Sequence, residues 1–109
     1  MFYNKYQQMW LFVFFDLPTE TRKERKASAA FRKNLLKNGF QMFQFSVYIR
    51  HCISFSNVDT HIERVRKFLP SEGKVCLASF TEKQFSDMKV FYCKTRNKMI
   101  VDNEQLLLF

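Results

Sequence analysis

Residues 9–18 read MWLFVFFDLP, and the fold turns on them. Trp10 to Phe15 are all apolar, rich in aromatic and β-branched side chains. A short unbroken run of this kind, closed by Pro18, predicts a central strand covered on both faces. One carboxylate, Asp16, ends the run. Two roles are open to it. An Asp ahead of Leu-Pro-Thr can accept backbone N–H bonds and form a turn, the commoner role for a lone acid in such a place. It can also serve a hard cation, since Mg2+ uses one or two carboxylates together with waters and phosphate oxygens.

Outward from this strand the pattern alternates. Residues 21–37, TRKERKASAAFRKNLLK, predict a helix opened by a Thr21/Glu24 capping box and closed before Gly39. Ala27, Phe31 and Leu35 share one face of it, and Arg22, Lys26, Lys33 and Lys37 gather opposite. Residues 40–54, FQMFQFSVYIRHCIS, alternate as a strand does but run long, which predicts a bend or a tight hairpin near 46–50. Residues 57–69 predict a second helix, with Val58, Ile62, Val65 and Leu69 inward, Ser56 or Asn57 as cap and Pro70 as stop. Residues 74–80, KVCLASF, predict a strand, and 86–93, SDMKVFYC, a further short one. The tail QLLLF at 105–109 suits either a closing core strand or docking on a partner's sheet edge.

The order β-α-β-β-α-β predicts an α+β fold: a ferredoxin-like sandwich with both helices on one face of an antiparallel sheet, plus an extra C-terminal strand. At 109 residues it is a single domain, with residues 1–8 as an N-terminal extension, 9–92 as the core and 93–109 as a docking segment. Fourteen Phe exceed what one small helix–sheet core requires. A second apolar surface, and hence a homodimer, is expected.

Charge narrows the function. Eighteen Lys and Arg against ten Asp and Glu give +8, which favours a polyanionic partner. Residues 19–37 alone carry seven basic and two acidic side chains. Three scattered cysteines, Cys52, Cys76 and Cys93, form no CxxC pair and point to a reducing cytoplasm with mostly buried free thiols. His51 beside Cys52 lacks the second pair that a zinc site needs. His61 is expected on a solvent-facing or half-buried helix surface. The longest apolar run is far short of the ~20 residues that span a bilayer, so no membrane partner is expected. No GxSxG, P-loop, GxGxxG or HExxH motif is present, which removes the common hydrolase, nucleotide and zincin chemistries.

The block WLFVFFDLP, the basic TRKERKASAAFRKNLLKNGF, then MFQFSVYIR and LPSEGKVCLASFTEKQF together resemble the CRISPR-associated Cas-two family over residues 9–92. NGFQMFQFSVY, with Gln44, Ser46 and Val47, is close to that family's second-strand pattern. The Phe-rich VFFDLPT form is similar to members from type II CRISPR systems.

The resemblance implies a homodimer of ferredoxin-like subunits. It also implies that Asp16, the acid ending strand one, is the Mg2+ ligand and catalytic carboxylate, contributed by both subunits. It further implies spacer acquisition, with the dimer bridging the Cas-one integrase on double-stranded prespacer DNA, and with metal-dependent hydrolysis of DNA or RNA as a reported activity. The scaffold role is favoured over catalysis. For phosphate contacts the candidates are Arg22, Lys23, Arg25, Lys26, Arg32 and Lys33, with Arg50 from a strand edge. Two other readings stay open: a stand-alone, toxin-like ribonuclease of the same fold, and an RNA-binding module of the RRM type. The second is weakened because GFQMFQFSVY lacks the second glycine and basic lead of a stacking strand.

Overall fold

A computed structural model describes residues 7–94. Residues 1–6 of the 1–8 extension and the apolar tail at 105–109 lie outside the described residues, as does most of the 93–109 segment. β1 (Met9–Asp16) is followed by α1 (Arg22–Lys37), β2 (Gln41–Gln44), β3 (Val47–Cys52), α2 (Phe55–Arg66), β4 (Lys74–Thr81) and α3 (Glu82–Ser86). The strands form one antiparallel sheet in the order β2-β3-β1-β4, with β1 central, the ferredoxin-like arrangement.

Because side chains alternate along a strand, β1 feeds two environments. Met9, Leu11, Val13 and Phe15 point to the helix side and are buried with Phe31 and Leu35 of α1 and Val58 and Val65 of α2. Trp10, Phe12, Phe14 and Asp16 point to the other side. Among the described residues no long helix covers that face, and only the short α3 packs against part of it, so the expected double covering of β1 is complete on one side and partial on the other. Phe12 is buried there by aromatic neighbours, with the Phe80, Phe43 and Phe85 rings at 5.0, 5.7 and 6.0 Å. Phe14 remains exposed.

The long alternating segment resolves into a tight hairpin, with its turn at Phe45 and Ser46. α1 opens on the Thr21/Glu24 capping box and ends with Gly39 at a φ of 85°, a conformation open to glycine. Its buried stripe is Ser28, Phe31 and Leu35, and Ala27 is exposed. Steps of three and four, rather than four and four, track the core.

α2 starts two residues earlier than the pattern suggested. Ser54 is its cap, accepting from the Asn57 N–H at 3.1 Å, while the Asn57 side chain accepts from Ile53 N. The helix stops at Arg66, so Leu69 is exposed and Phe68 packs inward in its place.

The expected strand at 86–93 is absent. Thr81 and Gln84 form a second capping box, which turns the chain into α3 directly after β4. Phe85 then stacks on Trp10 at 4.2 Å, and Trp10 Nε1 donates to Glu82 Oε1 at 2.7 Å. Of the three thiols only Cys52 is buried, which raises its pKa, whereas Cys76 and Cys93 are exposed. Among the described residues no helix is long and apolar enough to cross a membrane.

His61 is buried at 2% exposure, not on the helix surface. Arg50 Nε donates to its Nε2 at 3.0 Å, which places the imidazole proton on Nδ1. Burial lowers the His61 pKa, and the Arg50 and Arg64 charges lower it further. The unfolded chain therefore binds a proton below about pH 6.5 that the folded chain resists. Stability is expected to fall as pH drops below that value, by up to about 1.4 kcal/mol per pH unit. Melting curves at pH 7.5 and pH 5 should separate for the native chain and close up in His61→Leu. Equal separation in both would assign the loss to other groups.

Candidate functional site around Asp16

The loop from β1 into α1 decides what Asp16 is free to do. Its turn is held by other groups. Glu24 Oε1 accepts from the N–H groups of Glu20 and Thr21, both at 2.9 Å. Arg25 Nη1 donates to the carbonyls of Thr19 and Glu20 at 3.1 and 3.0 Å. The Asp16 carboxylate is exposed and takes part in no hydrogen bond or ion pair among the described residues. The turn-forming role thus belongs to Glu24 and Arg25.

Asp16 projects from the sheet face opposite α1 and α2, across from Lys74 of β4 in the strand register. Together with Phe14, Ser46, Val47 and Cys76 the two line an open hollow of about 390 Å³. Two backbone approaches hold the end of β1 that carries the acid. Phe15 N donates to Ser46 O at 3.0 Å, drawing the β2–β3 turn against the end of β1. On the other side Gly73, with φ 101°, lets the α2–β4 turn close in; a Cβ there would stand 2.8 Å from the Asp16 carbonyl oxygen.

A metal finds one carboxylate here, free of hydrogen bonds and ion pairs among the described residues. No group of three or more His, Cys, Asp or Glu side chains converges among the described residues. That donor set fits Mg2+, which keeps most of its waters and takes one or two carboxylates, and does not fit a caged transition metal. Asp16 would hold the ion, with a second copy of the chain as the source of a second carboxylate. Bound there, Mg2+ supplies charge neutralisation at a phosphate and a more acidic water.

The basic candidates divide. Arg22, Lys23, Lys26 and Lys33 are exposed on the outside of α1 and enter no ion pair among the described residues. Arg25 holds the preceding turn. Arg32 donates to the Phe45 carbonyl and lies 3.6 Å from the Phe45 ring centre and 4.9 Å from that of Phe15. Arg50 faces the helix layer, where it binds His61 and reaches the Gly39 carbonyl at 3.4 Å.

α1 covers one side of the sheet and Asp16 leaves the other, so these cations do not surround the acid. The polar side chains that line its hollow with it, Lys74 and Ser46, were not among the site residues expected from sequence. Lys74 was legible in principle: antiparallel pairing of β4 with β1 sets the first residue of one against the last of the other.

Comparison with known proteins agrees with this architecture. The family model for CRISPR associated protein Cas2 matches residues 9–88. A CRISPR-associated endoribonuclease Cas2 of Flavobacterium psychrophilum is 51% identical over 106 residues, covering 97% of this chain and 92% of its own. One of Parvibaculum lavamentivorans is 46% identical over 101 residues, covering 93% of this chain and all of its own. A solved structure described as a crystal structure of cas2 superposes with a TM-score of 0.53 at 21% identity, over 86% of this chain and 99% of that one, a likeness of fold. The family match runs from the first residue of β1 to just beyond α3, taking in Asp16, the basic helix and the hairpin, and so this chain belongs to the CRISPR-associated Cas2 family.

Proposed function

We propose that the chain acts in CRISPR adaptation as a homodimer that binds double-stranded prespacer DNA and bridges the Cas-one integrase, with Mg2+-dependent phosphodiester hydrolysis at Asp16 as a second capacity. The observation that carries this reading is the division of the molecule. A carboxylate with no hydrogen bond or ion pair among the described residues stands on the apolar sheet face opposite α1 and α2, and the exposed cations of α1 stand on the other side.

Two copies joined through the sheet faces opposite α1 and α2 bury Phe14 and bring two Asp16 side chains toward one axis. Their α1 helices then lie outermost, where a duplex can run along Arg22, Lys23, Lys26 and Lys33. Contacts of this kind hold phosphates without reading sequence. The separation of cations from acid favours the scaffold over the nuclease. The endoribonuclease names of the relatives favour RNA as the substrate of any hydrolysis.

Affinity for a duplex, measured against salt, tests the scaffold. Lys26→Ala/Lys33→Ala should flatten the dependence of log K on log salt by about 0.9 for each phosphate that is no longer neutralised. An unchanged slope would remove α1 from the interface, and a monomer in sedimentation would remove the dimer. RNA and DNA substrates compared side by side with Mg2+ separate the adaptation reading from a stand-alone ribonuclease.

A further inference from the structure

Phe45 sits at the tip of the β2–β3 turn with 70% of its surface exposed. An aromatic ring held this far into water in a two-residue turn contributes little to the core. The ring is nevertheless fixed. The Arg32 guanidinium lies 3.6 Å from its centre, and the same guanidinium donates to the Phe45 carbonyl, so the turn and the ring are locked by one side chain. One face of the ring is backed by a cation, and among the described residues most of the rest stands open.

Its position matters as much as its exposure. The next residue, Ser46, lines the hollow that holds Asp16 and Lys74. The residue after Arg32 is Lys33, one of the exposed cations of α1. Phe45 is thus joined to both regions: its chain neighbour lines the acid's hollow, and the side chain that backs its ring belongs to the cationic helix.

We infer that Phe45, backed by Arg32, is a stacking platform for an unpaired nucleobase, and that the strand delivered to Asp16 is single-stranded at that point. Aromatic and guanidinium planes are the usual partners of splayed bases, and a duplex keeps its bases stacked inside and unavailable. The net charge of +8 complements the phosphates on either side of such a base. The inference rests on the nucleic-acid reading above and adds the substrate's form.

The test uses the full chain and fluorescein-labelled oligonucleotides of about twelve nucleotides, as single-stranded RNA, single-stranded DNA and the corresponding duplex. Phe45→Ala should weaken single-strand binding by about tenfold or more, the worth of one base–aromatic stack, leaving duplex affinity and the salt slope in place. Phe45→Trp should retain binding, and its added indole fluorescence should be quenched by the single strand beyond the Trp10 background.

The RNA and DNA arms show whether the platform prefers either sugar. Equal losses on duplex and single strand, no loss at all, or an equal loss on a probe made of abasic sugar-phosphate would each overturn the platform. Loss of dimer in Phe45→Ala with single-strand affinity intact would assign the ring to a protein surface instead. A native chain that binds no oligonucleotide would sink the nucleic-acid reading itself, a result distinct from any of these.

Discussion

Asp16→Asn is expected to remove Mg2+-dependent phosphodiester hydrolysis, by about 100-fold or more, with the fold untouched. The size follows from chemistry. Groups that merely orient a metal's ligands are worth about 10–100-fold, so loss of the charged donor itself costs at least that much. The harmlessness follows from structure. The carboxylate is exposed and bonded to nothing among the described residues, so an amide of equal shape should change stability by no more than about 0.5 kcal/mol.

Duplex binding should persist, and removing a negative charge from a basic protein can only help it. The checks are cleavage of labelled RNA and DNA with and without Mg2+, a melting curve and a binding isotherm on the same preparation. Unaltered cleavage by the Asn variant would hand the chemistry to another residue or a contaminant. A markedly lower melting temperature would mean that the carboxylate has a structural task. A native protein that cleaves nothing leaves the scaffold as the whole function.

The second large effect is structural. Phe31 is buried at 1% exposure, with Phe15 of β1 and Phe68 beyond α2 at ring distances of 5.1 and 5.7 Å. It joins α1 to the strand that carries Asp16 and to the chain leaving α2. Phe31→Ala should cost about 3–5 kcal/mol, the sum of forfeited transfer energy and a cavity that packed rings cannot close. For a domain whose whole stability is of order 5–15 kcal/mol, that leaves little margin.

Urea titration of native and variant chains measures the loss directly, at matched protein concentration because a dimer adds stability by mass action. A cost below about 1 kcal/mol would show that the helix–sheet layer is not the main core. Because the outer side of the same helix bears Lys26 and Lys33, loosening Phe31 should also weaken duplex binding, whereas exposed substitutions on α1 should leave the melting curve alone.

Much of this was legible in the chain. The MWLFVFFD run gave the central strand, the Thr21/Glu24 box gave the start of α1 to the residue, and the overlong alternation at 40–54 required the hairpin. What stayed hidden has a common cause. Periodicity reports which way a residue faces and says little about what a long side chain grasps. Arg32 and Arg50 carry the same charge as Lys26, yet one clamps a turn and the other meets a buried imidazole.

The start of α2 was ambiguous because three polar residues around Phe55, namely Ser54, Ser56 and Asn57, can each cap a helix. α3 was missed because it falls in the gap between the stretches read as strands at 74–80 and 86–93, where the Thr81/Gln84 capping box closes a short helix by local hydrogen bonds. Asp16 changed status for a reason that no single window contains: the turn it was expected to form is already tied by Glu24 and Arg25.

Gly73 sets a limit on how chains of this kind can diverge. On the outer face of α1, lysine can replace arginine, or move one turn, at little cost. At position 73 any side chain places its first carbon 2.8 Å from the Asp16 carbonyl oxygen and 2.7 Å from Leu17 Cδ2, in a backbone conformation that already resists it. A lineage can therefore redraw its grip on nucleic acid by ordinary drift. At position 73 it needs paired changes on two segments, a much rarer path.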